Sequence, residues 1–179
     1  MAKLLAIGAS TSSKSINRAF AAYAASLIEA GNVVAIDLNE FEMPIYSADR
    51  EENGGIPEAA KAFVSTVGAS DAIILSLAEH NGSYTAAFKN IMDWASRHER
   101  KLWAGKPMLL LSTSPGPRGA ASVLAAASAT FPHLGAEVAA SFSLPSFGDN
   151  FSAEAGISDP NLKRVFGEAL AQFSAAITT

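Results

Sequence analysis

Short apolar runs recur along the chain at residues 3–7, 33–38, 71–77, 107–111 and 137–142, separated by longer segments of helical periodicity. Near-continuous apolar runs of this length, bounded by turn residues, are the pattern of strands buried on both faces. Between and after them, residues 17–30, 57–68, 85–97, 119–131 and 159–177 read as helices. Gly31 stands where the first helix should stop, Pro57 in the first turn of the second, and Ser158 or Asp159 at the cap of the last. Five strands alternating with five helices predict an α/β protein: one parallel sheet with helices on both faces, in a single domain over 1–179. Residues 39–55 hold too much Pro, Gly and charge for a regular element and are expected to form a long loop.

Composition narrows what such a domain can do. With 49% hydrophobic and 17% charged residues the chain has a sizeable core to bury. A net charge of −4 and a pI near 5.3 leave no basic surface for a phosphate backbone, so nucleic acid is not an expected partner. The chain has no cysteine. Disulfides, thiolate nucleophiles and iron–sulfur clusters are thereby excluded, and any redox chemistry must come from a bound cofactor. The first apolar run stops at Gly8, too short for a signal-peptide core or a membrane span, which predicts a cytoplasmic protein without membrane attachment.

The polar and Gly-rich loops follow the first, third and fourth strands. Ligands of open parallel sheets bind outside the carboxyl ends of the strands where the strand order reverses, and in an order 2-1-3-4-5 strands one and three flank that point. The first loop offers Ser10, Thr11, Ser12, Ser13, Ser15 and Asn17 just before a helix. Unpaired N–H groups, the positive dipole end and a cluster of hydroxyls make a phosphate cradle, where capping alone needs only one or two of these side chains. The glycine and lysine spacing of triphosphate and dinucleotide loops is missing, so a monophosphate ester is the expected ligand. The second loop, Glu79-His80-Asn81-Gly82-Ser83, suits a heteroaromatic ring with amide-like edges; the alternative is a helix-entry turn capped by Ser83. His80 is a possible acid–base group, but His98 and His133 have no ligand-like spacing to it and no metal is expected. The third loop, residues 112–119, holds two prolines and two glycines and can wall a cofactor slot. Arg118 is its only cation, either contacting a phosphate of an incoming nucleotide or solvated.

Asn81-Gly82-Ser83 followed by Phe88-Lys89-Asn90-Ile91-Met92-Asp93-Trp94, then Gly105-Lys106-Pro107 leading to Ser112-Thr113-Ser114-Pro115-Gly116, resemble the NADPH-dependent FMN reductase family. Pro44-Ile45-Tyr46 with Asp49 is similar to that family's proline-centred second loop. The resemblance runs over about residues 4–142 and implies a flavodoxin-like three-layer sandwich with a five-stranded parallel sheet of order 2-1-3-4-5. It implies FMN as cofactor, with Ser10, Ser12, Ser15, Ile16 and Asn17 around the phosphate. Glu79, His80, Asn81, Gly82 and Ser83 would then lie along the isoalloxazine edge, and Ser114, Pro115, Gly116 and Gly119 would complete its wall.

The implied activity passes hydride from NADPH or NADH to bound FMN and on to a small acceptor such as a quinone, azo compound, flavin or metal oxyanion. The flavin carries the chemistry, no side chain acts as catalyst, and the kinetics are expected to be ping-pong. Ser12 departs from an arginine common in the family, His80 from a tyrosine and Ala78 from a proline. The family also implies a homodimer or homotetramer, with Phe88, Trp94 and Trp103 either marking a subunit contact or packing a helix on the sheet. Two other classes remain on the same sequence: a non-enzymatic electron carrier or flavin-binding regulator, and a phosphate-binding protein without flavin. A carrier presents acidic surface around its flavin, and the ring-side loops hold only Glu79 with Arg118 opposite, which favours the enzyme.

Overall fold

Burial on both faces decides which strands lie at the centre of the sheet. In the computed structural model, which describes residues 2–177, β1 (Lys3–Ala9), β3 (Ala72–Leu77) and β6 (Pro107–Thr113) are buried along almost their whole length. β2 (Asn32–Ile36) and β7 (Glu137–Leu144) keep exposed positions and form the edges. The order is β2-β1-β3-β6-β7 with every pairing parallel. Setting aside two small hairpins, this is the expected 2-1-3-4-5 sheet, and the order in which strands are added reverses between β1 and β3.

Side chains alternate across each strand, so one sequence run feeds two cores. Leu4, Ala6, Ile74, Leu109 and Leu111 point to the face covered by α1 (Ile16–Ser26) and α7 (Pro160–Ile177). Leu5, Ile7, Ile73, Leu75 and Leu110 point to the face covered by α3 (Glu58–Gly68), α4 (Ala86–His98) and α5 (Ala121–Thr130). Phe88 and Trp103, both 0% exposed, pack in the core between α4 and the sheet, while Trp94, 1% exposed, packs on Tyr46. Among the described residues no helix is long and apolar enough to cross a membrane.

Several boundaries differ from expectation, each for a local reason. α1 ends at Ser26 rather than residue 30, and Gly31 instead donates to the Ala2 carbonyl beside the sheet. The segment 39–55 is not all loop. A 3-10 turn at Leu38–Phe41 is capped by Asp37, and helix α2 (Ala48–Gly54) is capped by Ser47 and released at Gly55, whose φ is 70°. Capping side chains let a charged, Gly-containing stretch form a turn or two. Asn81-Gly82 makes a hairpin, with β4 (Glu79–His80) pairing antiparallel to β5 (Ser83–Tyr84). Asn81 and Gly82 sit at φ 52° and 75°, as a tight two-residue hairpin turn requires. Thr85, not Ser83, caps α4. Asp159 accepts from the Asn161 and Leu162 amides and so caps α7. Residues 147–157 add a short helix α6 (Phe147–Asn150) and a hairpin of β8 (Phe151–Ser152) and β9 (Gly156–Ile157).

Candidate functional site

The first loop is shaped by how closely α1 approaches the end of β1. A Cβ on Gly8 would lie 2.4 Å from the Arg18 Cα, so only glycine lets α1 come this close to the strand. Beyond it the hydroxyls organise their own backbone: Ser10 Oγ accepts from the Ser12 amide, Ser12 Oγ from the Lys14 amide, and Ser15 Oγ from the Arg18 amide as N-cap. A hydroxyl that accepts from backbone still has its own proton to donate. All three therefore keep an O–H to donate, beside the amides of Ile16 and Asn17, which at the helix start lack an intrahelical acceptor.

The Asn17 carboxamide is spent elsewhere. It is 2% exposed, donates to the Thr113 carbonyl at 3.1 Å, and accepts from Ser76 Oγ at 2.7 Å and the Thr113 amide at 3.2 Å. One side chain thus ties the start of α1 to the ends of β3 and β6, and what Asn17 can present to a ligand is its backbone. On the far side of the loop, Asn39 Nδ2 donates to the Thr11 carbonyl and to Asp37 Oδ1. Asp37 is held below the usual carboxylate range, first by the Asn39 amide against a smaller opposing effect of burial, with further help from the Asn39 side chain and Arg18.

These loops converge on a cavity of about 280 Å³. It is lined by Ser10, Ser12, Lys14, Ser15, Ile16 and Asn17 from the first loop, Ala78, Glu79 and His80 from the second, and Thr113, Ser114 and Pro115 from the third. Lys14 is the residue the motif reading passed over. Its signal was available as the only cation between β1 and the start of α1, in the loop where Ser12 departs from the family's arginine.

The remaining expected residues stand outside this lining. Asn81, Gly82 and Ser83 are exposed on the hairpin. Gly116 accepts from the Ser146 amide and Ser114 Oγ, and Gly119 accepts from Ser112 Oγ and Ser143 Oγ, so both glycines anchor the third loop on β7 and the segment beyond it. At Gly119, with φ 56°, a Cβ would lie 2.4 Å from Ser143 Oγ. The Glu79 carboxylate faces α5 and accepts from the Val123 amide at 3.0 Å. Arg118 lies 3.8 Å from its other oxygen and is 78% exposed.

A second cavity of about 300 Å³ opens on the other side of Thr11, with Leu38, Phe41, Met43, Ile45, Ala86 and Ile91 in its walls. Its rim is held by the motif on α4. Asn90 accepts from the Tyr46 amide and donates to the Met43 and Pro44 carbonyls, while Trp94 Nε1 donates to Pro44 at 2.7 Å. The Tyr46 ring stands edge-on to Trp94, and the Lys89–Asp93 pair closes the outer face of the same helix. The spacing of Asn90 and Trp94 puts both on one side of α4, which is why that stretch is so specific a sequence mark.

A five-stranded parallel sheet in this order, with a hydroxyl-rich helix start at its switch point, is the flavodoxin-like α/β architecture. The chain belongs to the NADPH-dependent FMN reductase family, whose model matches residues 2–149. It is similar to an NAD(P)H-dependent FMN reductase of Pseudomonas aeruginosa, 34% identical over 120 residues, covering 66% of this chain and 63% of that protein. It is also similar to a 2-hydroxy-1,4-benzoquinone reductase of a Burkholderia species, 36% identical over 80 residues, 44% of this chain and 43% of the relative. Both matches thus span less than two thirds of the relatives' own length. Among solved structures, FerB, an NAD(P)H:(acceptor) oxidoreductase flavoenzyme of Paracoccus denitrificans, superposes with a TM-score of 0.76 at 24% identity, over 99% of this chain and 98% of that one. At that identity the likeness speaks for the fold.

Proposed function

We propose that the chain is an NAD(P)H-dependent FMN oxidoreductase that reduces a small acceptor of the quinone class. The observation that carries the reading is the single cavity in which the hydroxyls of the first loop, Lys14 and the start of α1 face the same space as segments 78–80 and 113–115. The donor set fits FMN. A phosphate dianion at the helix start gains about 0.3–2 kcal/mol from the dipole, with hydroxyl donors and one ammonium to complete its shell. Lys14 supplies the positive charge that Ser12 lacks.

When bound, the flavin supplies the two-electron chemistry. The chain's part is to hold the phosphate, to keep the second and third loops apart by the thickness of a flat ring, and to leave the cavity's mouth open. His80 and Pro115, both exposed, flank that mouth and contact whatever stacks on the ring. Arg118, mostly exposed on the third loop, is the candidate contact for a nucleotide phosphate. The quinone class is favoured by the named activity of the benzoquinone reductase relative, and one site serving donor and acceptor in turn gives ping-pong kinetics. The working assembly is a homodimer or homotetramer, a reading supported by Ile45, 65% exposed beside the second cavity.

Reconstitution with excess FMN, removal of free flavin and anaerobic addition of NADPH test the reading directly. Stoichiometric flavin that bleaches rapidly and is reoxidised by a benzoquinone supports it, and intersecting double-reciprocal lines would overturn the ping-pong element. Bound flavin that neither NADPH nor NADH bleaches would make the chain an electron carrier or regulator.

A further inference from the structure

α5 begins without a cap of its own. Ala120 at its N-cap has no side-chain acceptor and sits at φ 61°, and no acidic residue stands in the first turn. The Ala121 amide donates to the Arg118 carbonyl at 3.0 Å, but the Val123 amide, still within the first turn, needs an acceptor from elsewhere. Glu79 provides one from 44 residues earlier in the chain, with Oε2 on the Val123 amide at 3.0 Å and only 11% of the side chain exposed. A carboxylate there meets both an orphan N–H and the positive end of the helix dipole. Arg118, 3.8 Å away and mostly solvated, adds little to that bond.

The bond joins the cavity's two ring-side walls. Glu79 is part of the wall formed by residues 78–80, and the wall formed by 113–115 runs through Gly119 directly into α5. We propose that Glu79 is a positioning residue: by capping α5 from the loop after β3, its carboxylate sets the spacing of the slot that receives the flavin ring. The proposal rests on the flavin reading above. It gives Glu79 a task distinct from contact with the ring edge, and it makes the third loop's position depend on a side chain of the second.

The test uses the full chain without flavin, in wild type, Glu79→Ala and Glu79→Gln. Amide exchange reports the Val123 N–H, and fluorescence quenching reports binding of FMN and of riboflavin, which has the ring but no phosphate. In Glu79→Ala, Val123 protection should fall and the dissociation constants for FMN and riboflavin should both rise about tenfold. Glu79→Gln keeps a neutral acceptor and should restore both to within about threefold of wild type. Unchanged Val123 exchange in Glu79→Ala overturns the cap. Lost protection with FMN and riboflavin affinities within about twofold of wild type overturns the positioning role, because cap and ring slot are then uncoupled. Should Glu79→Ala not fold, Glu79→Gln carries the test: binding of both ligands that moves in step with Val123 protection, the two falling or holding together, supports the proposal, and a change in one without the other overturns it. Wild type that takes up no FMN defeats the flavin reading and this proposal together, a failure distinct from the others because the exchange measurement needs no flavin.

Discussion

Replacing Asn17 by alanine separates two roles that look alike in sequence. The carboxamide makes three hydrogen bonds inside the protein, to Ser76 Oγ and to both backbone groups of Thr113, where Ser76 and Thr113 are 0% and 1% exposed. The Ser76 hydroxyl can rotate to another acceptor, but the Thr113 amide and carbonyl are fixed by the strand. Leaving two such buried groups unpaired costs about 1–3 kcal/mol each, so Asn17→Ala should destabilise the flavin-free protein by about 3 kcal/mol. For a chain of this size that is a Tm lower by about 6–12 °C. Urea unfolding of the apoprotein, followed by circular dichroism, measures it as a shift in midpoint at constant slope. A side chain that served the phosphate alone would leave apoprotein stability untouched and lower only FMN affinity. A loss below about 1 kcal/mol would therefore refute the argument that Asn17 is the tie between α1, β3 and β6.

Lys14→Ala should weaken FMN binding about fivefold at low salt while leaving riboflavin binding unchanged, and added salt should shrink the difference, as titrations at two ionic strengths would record. Asn90→Ala frees the 43–46 segment from its clamp and should cost about 1–2 kcal/mol in urea unfolding, while Trp94→Phe, which leaves Pro44 with Asn90 as its remaining donor, should cost about 1 kcal/mol. Gly119→Ala combines a left-handed backbone with a Cβ driven against Ser143 and the Leu144 backbone, and should lower stability by about 2 kcal/mol or more in the same assay. For Asp37, a folded-state pKa below the ordinary 3.8 means stabilisation that is complete above the unfolded value and lost as pH falls through the folded one. The urea midpoints of wild type and Asp37→Asn should therefore differ by a constant amount from neutrality down to about pH 5 and converge below pH 4.

What local pattern determines, the sequence of this protein states plainly. Apolar runs of strand length, the helical segments between them and the two-faced burial of the strands follow from backbone periodicity, and so does the placing of three polar loops at the carboxyl ends of β1, β3 and β6. Asn81-Gly82 is equally local, since two positive φ values need only those two residues, and the hairpin they make is compatible with the ring-side contact expected there. The short helix at Ala48–Gly54 depends on Ser47, a cap that composition hides.

The partners of buried polar groups were beyond local reading. Asn17 meets Ser76 and Thr113 across 59 and 96 residues, and Asn90 holds Tyr46 across 44. Whether a serine-rich loop spends its Asn on a phosphate or on the sheet, and whether Glu79 faces a ring or a helix, depends on which strand ends the topology brings together. A donor or acceptor specifies what kind of partner it needs; only the packed chain specifies which one stands within 3 Å of it.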